Sequence, residues 1–142
     1  MFTVTRAPID AAALEESVRA DGYGAVVTFI GKVRDRSEDG RAVVALEYEA
    51  HEEMALVALE RIAGDVCVLY GDVRIAVAHR IGALRVGEVT LAVAVAAPHR
   101  RQAFSACSSV VDRLKAEAPI WKKECYADGS ARWRENEHVR RT

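Results

Sequence analysis

The longest apolar run in the sequence, from Val89 to Pro98, constrains the fold more than any other segment. It is about half as long as a membrane-spanning helix requires. Polar residues do not alternate with apolar ones along it, so a strand over residues 88–97 presents apolar side chains on both faces. Such a strand needs cover on both sides. We therefore predict that it lies at the centre of a sheet.

The spacing of apolar residues predicts the other elements. Asp10 caps the first helix, and Pro119 prevents continuation of the last one. The predicted helices cover about residues 11–20, 52–69 and 100–116. The predicted strands cover residues 25–34, 43–50, 73–79, 120–126 and 131–135, with connections at 35–41 and 82–87. The last two strands form a hairpin around Asp128-Gly129, and the order predicts one α+β domain over residues 1–142 with a largely antiparallel sheet.

Some side-chain positions follow from these patterns. Val33 is expected on the same strand face as Phe29, and both Phe104 and Cys107 are expected on the buried face of the third helix. Cys107 is therefore interpreted as a core residue and not as a nucleophile. His79 is interpreted as a partly buried structural residue that bonds a nearby backbone group.

Composition narrows the function classes. The net charge is −1, with 20 basic and 21 acidic residues, so no global field attracts nucleic acid. The cysteines Cys67, Cys107 and Cys125 are widely spaced and odd in number, which fits neither a zinc site nor a disulfide framework. The four histidines lack metal-ligand spacing, so no metal or cofactor is predicted. Residues 1–9 do not resemble a secretory signal, and we expect a cytoplasmic protein without a membrane segment.

The string Pro98-His99-Arg100-Arg101 lies where the apolar strand gives way to a helix. The first turn of a helix has unpaired N–H groups and a partial positive charge. Adding His99 and Arg100 there produces a site suited to phosphate. A solvated basic turn is the alternative interpretation.

Lys115 and Lys122 form a second basic group, on either side of Pro119. Lys115 follows the core residue Leu114, and Lys122 shares strand parity with Glu124. A lysine close to other cations and to an aromatic ring can become a better nucleophile. Alternatively, both stems cover apolar surface while their ammonium groups stay in water.

Lys32-Val33-Arg34 forms a third basic group, at the end of the first predicted strand. Strand ends that open into polar loops are common positions for binding groups. Three segments that are distant in sequence thus each supply cations at the end of an element. Together they predict a site for an acidic small molecule.

The same segments carry a resemblance to a known family. In order along residues 24–133, the chain contains Phe29-Ile30-Gly31-Lys32-Val33-Arg34, Leu46-Glu47-Tyr48-Glu49-Ala50, His79-Arg80-Ile81-Gly82, Val86-Gly87-Glu88, His99-Arg100 with Ala103-Phe104, and Leu114-Lys115 with Pro119-Ile120-Trp121-Lys122-Lys123-Glu124. This ordered set resembles the large, catalytic subunit of molybdopterin synthase. The last string is the most specific of the six.

The resemblance implies an α/β hammerhead fold with a small additional β-hairpin subdomain. It also implies a homodimer that binds two copies of a small ubiquitin-like sulfur carrier, giving a heterotetramer. The carrier ends in a Gly-Gly thiocarboxylate. Its sulfur is transferred to cyclic pyranopterin monophosphate, and two transfers form the dithiolene of molybdopterin. The implied activity is that of a sulfurtransferase of molybdenum cofactor biosynthesis.

Residue roles carry over from the family by position. The resemblance implies that Lys115 is the main catalytic group, close to the terminal glycine of the carrier, and that Lys122 assists it. The implied substrate-binding residues are Lys32, Val33, Arg34, His99, Arg100, Lys123 and Glu124. In such dimers one pocket can take groups from both protomers. Whether Lys115 attacks covalently or acts as a fixed charge is left open.

Two non-catalytic hypotheses compete with the enzyme. One is an α+β module that binds an anionic metabolite without turnover. The other is an assembly scaffold whose basic edges dock an acidic protein, in a complex that salt would weaken. Dependence of turnover on a partner with a Gly-Gly tail separates the enzyme from both.

Overall fold

A computed structural model describes residues 1–134 of the chain. The elements are β1 (Phe2–Thr5), α1 (Ala11–Val18), β2 (Ala25–Lys32), β3 (Val43–Ala50), α2 (Glu52–Tyr70), β4 (Arg74–Arg80), β5 (Gly82–Arg85), β6 (Val89–Ala97), α3 (Arg100–Glu117), β7 (Ile120–Tyr126) and β8 (Ala131–Arg134). They form two four-stranded sheets, in the orders β1-β4-β6-β2 and β5-β3-β7-β8. Within this part of the chain, only β1 and β4 pair in parallel. The predicted α+β class with largely antiparallel sheets is confirmed.

Strand β6 lies inside the first sheet between β4 and β2, as predicted. Its two faces pack against different helices because side chains alternate along a strand. Leu91, Val93 and Val95 pack against α2 and α3, whereas the small side chains of Ala92 and Ala94 pack against α1. Each fully buried aliphatic side chain of this size contributes about 1.5–3 kcal/mol. The apolar run is therefore the centre of the hydrophobic core.

The first two helices differ slightly from the prediction. The Asp10 carboxylate accepts a hydrogen bond from the Ala13 N–H at 3.0 Å and caps α1. This helix ends at Val18, because Arg19 is already extended. Helix α2 continues through Gly64 without interruption. The cost of a helical glycine, about 1 kcal/mol, is offset by buried neighbours such as Ile62.

Helix α3 ends at Glu117, where Ala118 and Pro119 redirect the chain. Its buried stripe includes Cys107, as predicted, but the prediction of a buried Phe104 is wrong, since 61% of that residue is exposed. The buried stripe follows Ala103, Ala106 and Val110, and Phe104 lies beside it. None of the three helices within residues 1–134 is both long and apolar enough to cross a membrane.

The second sheet contains a strand that the sequence did not predict. Residues 82–85, interpreted as part of a connection, form β5, which pairs with β3 through Tyr48 opposite Gly82. The predicted hairpin of β7 and β8 is present, with Gly129 at a φ of 87° in its turn. Its strand β7 also pairs with β3, so the hairpin extends this sheet. Glu135, the predicted end of the last strand, lies outside the described residues.

Candidate functional site

A cavity of about 240 Å³ lies where the two sheets and the end of α3 meet. Strand ends from both sheets form its wall, together with the loop after β2. The lining residues are Phe29, Gly31, Lys32, Arg34, Arg36, Glu38, Leu46, Tyr48, His79, Thr90, Leu91, Leu114, Lys115, Ile120, Lys122, Glu124 and Arg134. A second depression, of about 340 Å³, adjoins it and adds Arg132 and Trp133.

The turn at Ala118 and Pro119 brings Lys115 and Lys122 to one cavity. The Ala118 N–H donates to the Leu114 carbonyl at 3.0 Å and closes α3. Pro119 cannot continue the helix, and the chain returns as β7. Lys115 in the last helical turn and Lys122 on the new strand therefore line the same space. The cation in the last turn is also favoured by the negative end of the helix dipole.

Strand alternation and a β-bulge direct the side chains of Lys32 and Arg34 to a different side from that of Val33. The pairing of β2 with β6 shifts at Gly31 and Lys32, and beyond this bulge the chain turns toward the second sheet. Lys32 and Arg34 then line the cavity, whereas Val33 is 3% exposed and packs in a second core with Leu46 and Leu84. Val33 thus does not share a core with Phe29, contrary to the expectation. Any contact of Val33 with a substrate would be made by its backbone.

Arg36 and Arg134 also line the cavity, although neither was predicted from the sequence as a site residue. Arg36 comes from the loop after β2, and its guanidinium donates to the Gly40 carbonyl at 3.2 Å. Arg134 lies on β8 directly opposite Lys122. A two-residue turn at Asp128-Gly129 would pair position 134 with position 123, so the predicted hairpin did not indicate that Arg134 lies opposite Lys122.

Basic side chains outnumber acidic ones in the cavity wall. Among the described residues, six lysines and arginines line it, against the two carboxylates of Glu38 and Glu124. Glu124 is buried and fixed in place, since it accepts hydrogen bonds from the Arg134 guanidinium and the Tyr126 hydroxyl, both at 3.2 Å. The excess of cations favours an anionic ligand.

Uncharged polar groups form part of the inner cavity wall, beside the charged Glu124. His79 is 9% exposed, and its Nδ1 donates to the Arg80 carbonyl at 2.8 Å, as expected of a structural histidine. Burial lowers the pKa of His79 to about 4, so the imidazole is uncharged near neutral pH. Its ring meets the Tyr48 ring edge-on, with centroids 5.1 Å apart. Burial also raises the pKa of Tyr48, while a hydrogen bond with Thr90 opposes that shift.

Besides Val33, three further predicted site residues lie away from this cavity. His99 and Arg100 are at the start of α3, whereas Lys115 is in its last turn. Sixteen residues of helix separate His99 from Lys115, which is roughly 24 Å. Lys123 points to the opposite face of β7 from Lys122, where its ammonium pairs with Glu47 at 2.5 Å. A hydrogen bond from Lys123 to Glu47 raises the pKa of the lysine.

None of the three cysteines lines the cavity. Cys107 is 5% exposed in the main core, and burial raises the pKa of its thiol to about 11. Burial also raises the pKa of Cys67. A thiol of raised pKa is a poor nucleophile near neutral pH. Sulfur chemistry in this cavity would need sulfur from another molecule.

Comparison with known proteins gives the family. The family model described as MoaE protein matches residues 4–117, well over half of the chain. The chain belongs to the MoaE family. The molybdopterin synthase catalytic subunit of Nostoc sp. (strain PCC 7120 / SAG 25.82 / UTEX 2576) is 44% identical over 133 residues, which are 93% of this chain and 80% of that protein.

Solved structures agree with this membership. The crystal structure of molybdopterin synthase from Staphylococcus aureus has a TM-score of 0.89 at 33% identity, covering 94% of this chain and 96% of that one. A complex of subunits 1 and 2 of molybdopterin-converting factor from Helicobacter pylori 26695 has a TM-score of 0.75 at 19% identity, covering 96% and 91%, which shows a shared fold. The predicted family is confirmed, and with it the enzyme class, a sulfurtransferase of molybdenum cofactor biosynthesis. The two non-catalytic hypotheses are thereby disfavoured.

Proposed function

We propose that this MoaE family member transfers sulfur from the C-terminal thiocarboxylate of a small ubiquitin-like carrier to cyclic pyranopterin monophosphate. The observation that carries the proposal is the gathering of Lys32, Arg34, Lys115 and Lys122 in one cavity that no cysteine lines. Both proposed reactants are anionic, so the excess of cations suits them. The missing sulfur source is what the carrier would provide.

Lys115 is the proposed catalytic group. It is exposed at the edge of the cavity, and no described residue forms a salt bridge with it, so its ammonium group is accessible to an incoming tail. Lys122 lies on the adjacent strand and would stabilise the negative charge that develops as sulfur is transferred. Lys32 and Arg34 would bind the substrate phosphate. Glu124 would orient neighbouring cations through its bond to Arg134.

The carrier is proposed to insert its Gly-Gly tail beside Lys115. Glycines suit such a tail because a narrow approach leaves little room for side chains. The Helicobacter pylori protein, of the same fold, is described as a complex of two subunits. A cytoplasmic location, which the sequence predicts, would keep the thiocarboxylate in a reducing compartment.

His99 and Arg100 belong, in this proposal, to the pocket of a second protomer. The separation along α3, roughly 24 Å, prevents these residues from reaching Lys115 of their own chain. Both lie at a helix start, where N–H groups and the dipole favour a phosphate. A homodimer with composite pockets, and a heterotetramer with two carriers, would bring them to the substrate. Lys123 would contribute at the rim only by leaving its partner Glu47.

Substitution of Lys115 tests the proposal. We expect Lys115→Ala to reduce dithiolene formation from carrier thiocarboxylate and cyclic pyranopterin monophosphate by at least about 100-fold, the usual size of a lost transition-state contact. Lys115→Arg retains the positive charge, so partial activity would indicate an electrostatic role, and loss of activity would indicate attack by the amine. Mass spectrometry of the pterin product measures both.

Arg19→Ala is a matched control, because it removes one exposed cation that directly follows α1 and does not line the cavity. It should leave turnover unchanged. Mixing Lys115→Ala chains with Arg100→Ala chains tests the composite pocket, since mixed dimers regain one intact site. Near-normal dithiolene formation by Lys115→Ala would remove Lys115 from the proposed role.

A further inference from the structure

The innermost wall of the cavity differs from its mouth in charge and exposure. Lys32, Arg34 and Arg36 at the mouth are exposed. Deeper in the cavity, Thr90 is 7% exposed and His79 9%. These inner groups are polar but uncharged, and the buried carboxylate of Glu124 in the same wall is paired with Arg134. A ligand that fills the cavity would therefore meet cations at one end and neutral hydrogen-bonding groups at the other.

A β-bulge directs Thr90 into the cavity. Gly31 pairs with Leu91 and Lys32 pairs with Val89, so Thr90 is the extra residue on β6. Bulges commonly redirect a side chain next to a functional site. The Thr90 hydroxyl lies only 3.2 Å from the position that a Cβ of Gly31 would occupy. The absence of a side chain at Gly31 thus makes room for this hydroxyl.

Tyr48 joins Thr90 and His79 to the catalytic side of the cavity. Its phenol shares a hydrogen bond with Thr90, and its ring contacts the His79 ring. Across the β3–β7 pairing, Tyr48 lies directly opposite Lys122. Side chains at directly opposed positions are about 5 Å apart at Cβ. A group held by Tyr48 would therefore lie next to one of the two proposed catalytic lysines.

The hydrogen-bond donors and acceptors that His79, Tyr48 and Thr90 offer to a ligand follow from their chemistry and their bonding partners. The Arg80 carbonyl can only accept a hydrogen bond, so Nδ1 of His79 carries the proton. Nε2 therefore carries no proton and can accept a hydrogen bond. The hydroxyls of Tyr48 and Thr90 can each donate and accept. Apolar side chains lie beside them in the wall: Phe29, Leu46, Leu91 and Ile120. Apolar walls with a few neutral polar groups suit a flat heterocycle. The buried carboxylate of Glu124 in the same wall disfavours a phosphate there.

We infer that Tyr48, Thr90 and His79 form a neutral floor that binds the uncharged heterocyclic ring system of the substrate, while the cations at the mouth bind its phosphate. The inference rests on the proposed function, because that function supplies a substrate with both parts. Tyr48, Thr90 and His79 would then contribute to substrate specificity, although none of them was predicted from the sequence as a site residue. It also orients the substrate, with its ring system beside Lys122.

Paired titrations separate the two ends of the cavity. Isothermal titration calorimetry of the full chain would use cyclic pyranopterin monophosphate and, as a probe without a heterocycle, inorganic phosphate. We expect Tyr48→Phe and Thr90→Val each to weaken pterin binding about 3- to 10-fold, the effect of one lost hydrogen bond. Phosphate affinity should stay within about twofold of the wild-type value. Arg34→Ala should weaken binding of both probes.

Two controls distinguish lost contacts from general damage. Tyr23→Phe removes a phenol hydroxyl that bonds Asp72 at 2.7 Å, outside the cavity, and should leave both affinities unchanged. Thr90→Ser retains the hydroxyl and should restore pterin affinity. In turnover assays, Tyr48→Phe should raise KM more than it lowers kcat.

The outcomes for the floor and for the proposed function are distinguishable. The proposed floor is wrong if both Tyr48→Phe and Thr90→Val bind the pterin with wild-type affinity. It is also wrong if these variants lose phosphate affinity to the same extent as pterin affinity. If the wild-type chain binds the pterin but forms no dithiolene with the carrier, the proposed function is wrong. The titrations then still test whether Tyr48, Thr90 and His79 bind the ring system. If the wild-type chain does not bind the pterin, both are overturned.

Discussion

The two sheets of this chain use their faces for different purposes. In the first sheet, β6 is covered on both sides, and residues from Ala92 to Ala97 are fully buried. In the second sheet, β7 presents Lys122 and Glu124 to a cavity on one face. Stability is concentrated where side chains are apolar and close-packed, and chemistry where a sheet end is left open. Charged groups would be expensive to bury in the first region.

Helix α3 connects the two regions. Its stripe from Ala103 to Leu114 packs in the main core, and its last turn carries Lys115 to the cavity. A helix fixed along its length by packing holds the backbone of Lys115 at the edge of the cavity, and the flexible lysine side chain extends from there. The apolar core thereby positions a cation that takes no part in the core itself.

The largest expected effect compares one leucine from each region. Leu59 is fully buried in the main core, and Leu46 is 7% exposed in the small second core, where it also lines the cavity. We expect Leu59→Ala to lower the free energy of unfolding by about 3–5 kcal/mol and Leu46→Ala by about 2 kcal/mol, because a side chain beside an existing cavity has fewer contacts to lose. Urea denaturation measures both values. Equal losses would contradict the division of the molecule into a stabilising and a functional region.

A smaller effect is expected for the ion pair of the cavity. Arg134 and Glu124 have side-chain exposures of 18% and 9%, whereas the surface pair Arg19 and Glu16 has 61% and 71%. Glu124→Gln should lower the free energy of unfolding by about 1–3 kcal/mol, since it leaves a largely buried guanidinium without its counter-charge. Glu16→Gln is the matched control and should change it by less than about 0.5 kcal/mol. A double-mutant cycle with Arg134→Gln measures the coupling, and no coupling would mean that the pair does not stabilise the cavity wall.

The sequence predicted the stabilising region well, because its signals are local. The apolar run of β6, the Asp10 cap and the stop at Pro119 each act over a few residues. Strand β1 was missed because four residues carry little periodicity and their partner, β4, is distant in sequence. Phe104 was misplaced because an apolar residue at the edge of a helical stripe can be buried or exposed, and only the packed neighbours decide which.

The cavity was predictable in part. Lys32, Arg34, Lys115, Lys122 and Glu124 all follow from motifs or strand parity, and they line the same space. The bulge at Thr90 was not predictable, because it arises from the pairing of β6 with β2 and not from either strand alone. The meeting of Tyr48 with His79 likewise depends on how two sheets join. Tertiary geometry, not residue type, created the neutral floor.

The smallest expected effect concerns the helical layer over the first sheet. Hydrogen bonds from Arg113, and then from Arg61, lower the pKa of Glu117 to about 2. The contact with Arg61 links α2 to α3. A carboxyl whose pKa is lower in the folded state stabilises that state above its unfolded pKa, about 4.5, and this contribution is lost as pH falls toward 2. Because both partners are about one-third exposed, solvent screening limits the effect to less than about 1 kcal/mol.

Glu117→Gln isolates this contribution to the helical layer. Urea unfolding of the wild-type chain and the variant should differ above pH 4.5, and the difference should shrink between pH 4.5 and 2. Pterin affinity at neutral pH should be the same for both chains, because Glu117 does not line the cavity. If the stability difference stays constant across this range, ionisation of Glu117 does not contribute to the free energy of unfolding. If Glu117→Gln changes the pterin affinity, the helical layer and the cavity are coupled, and the stabilising and functional regions are not separate.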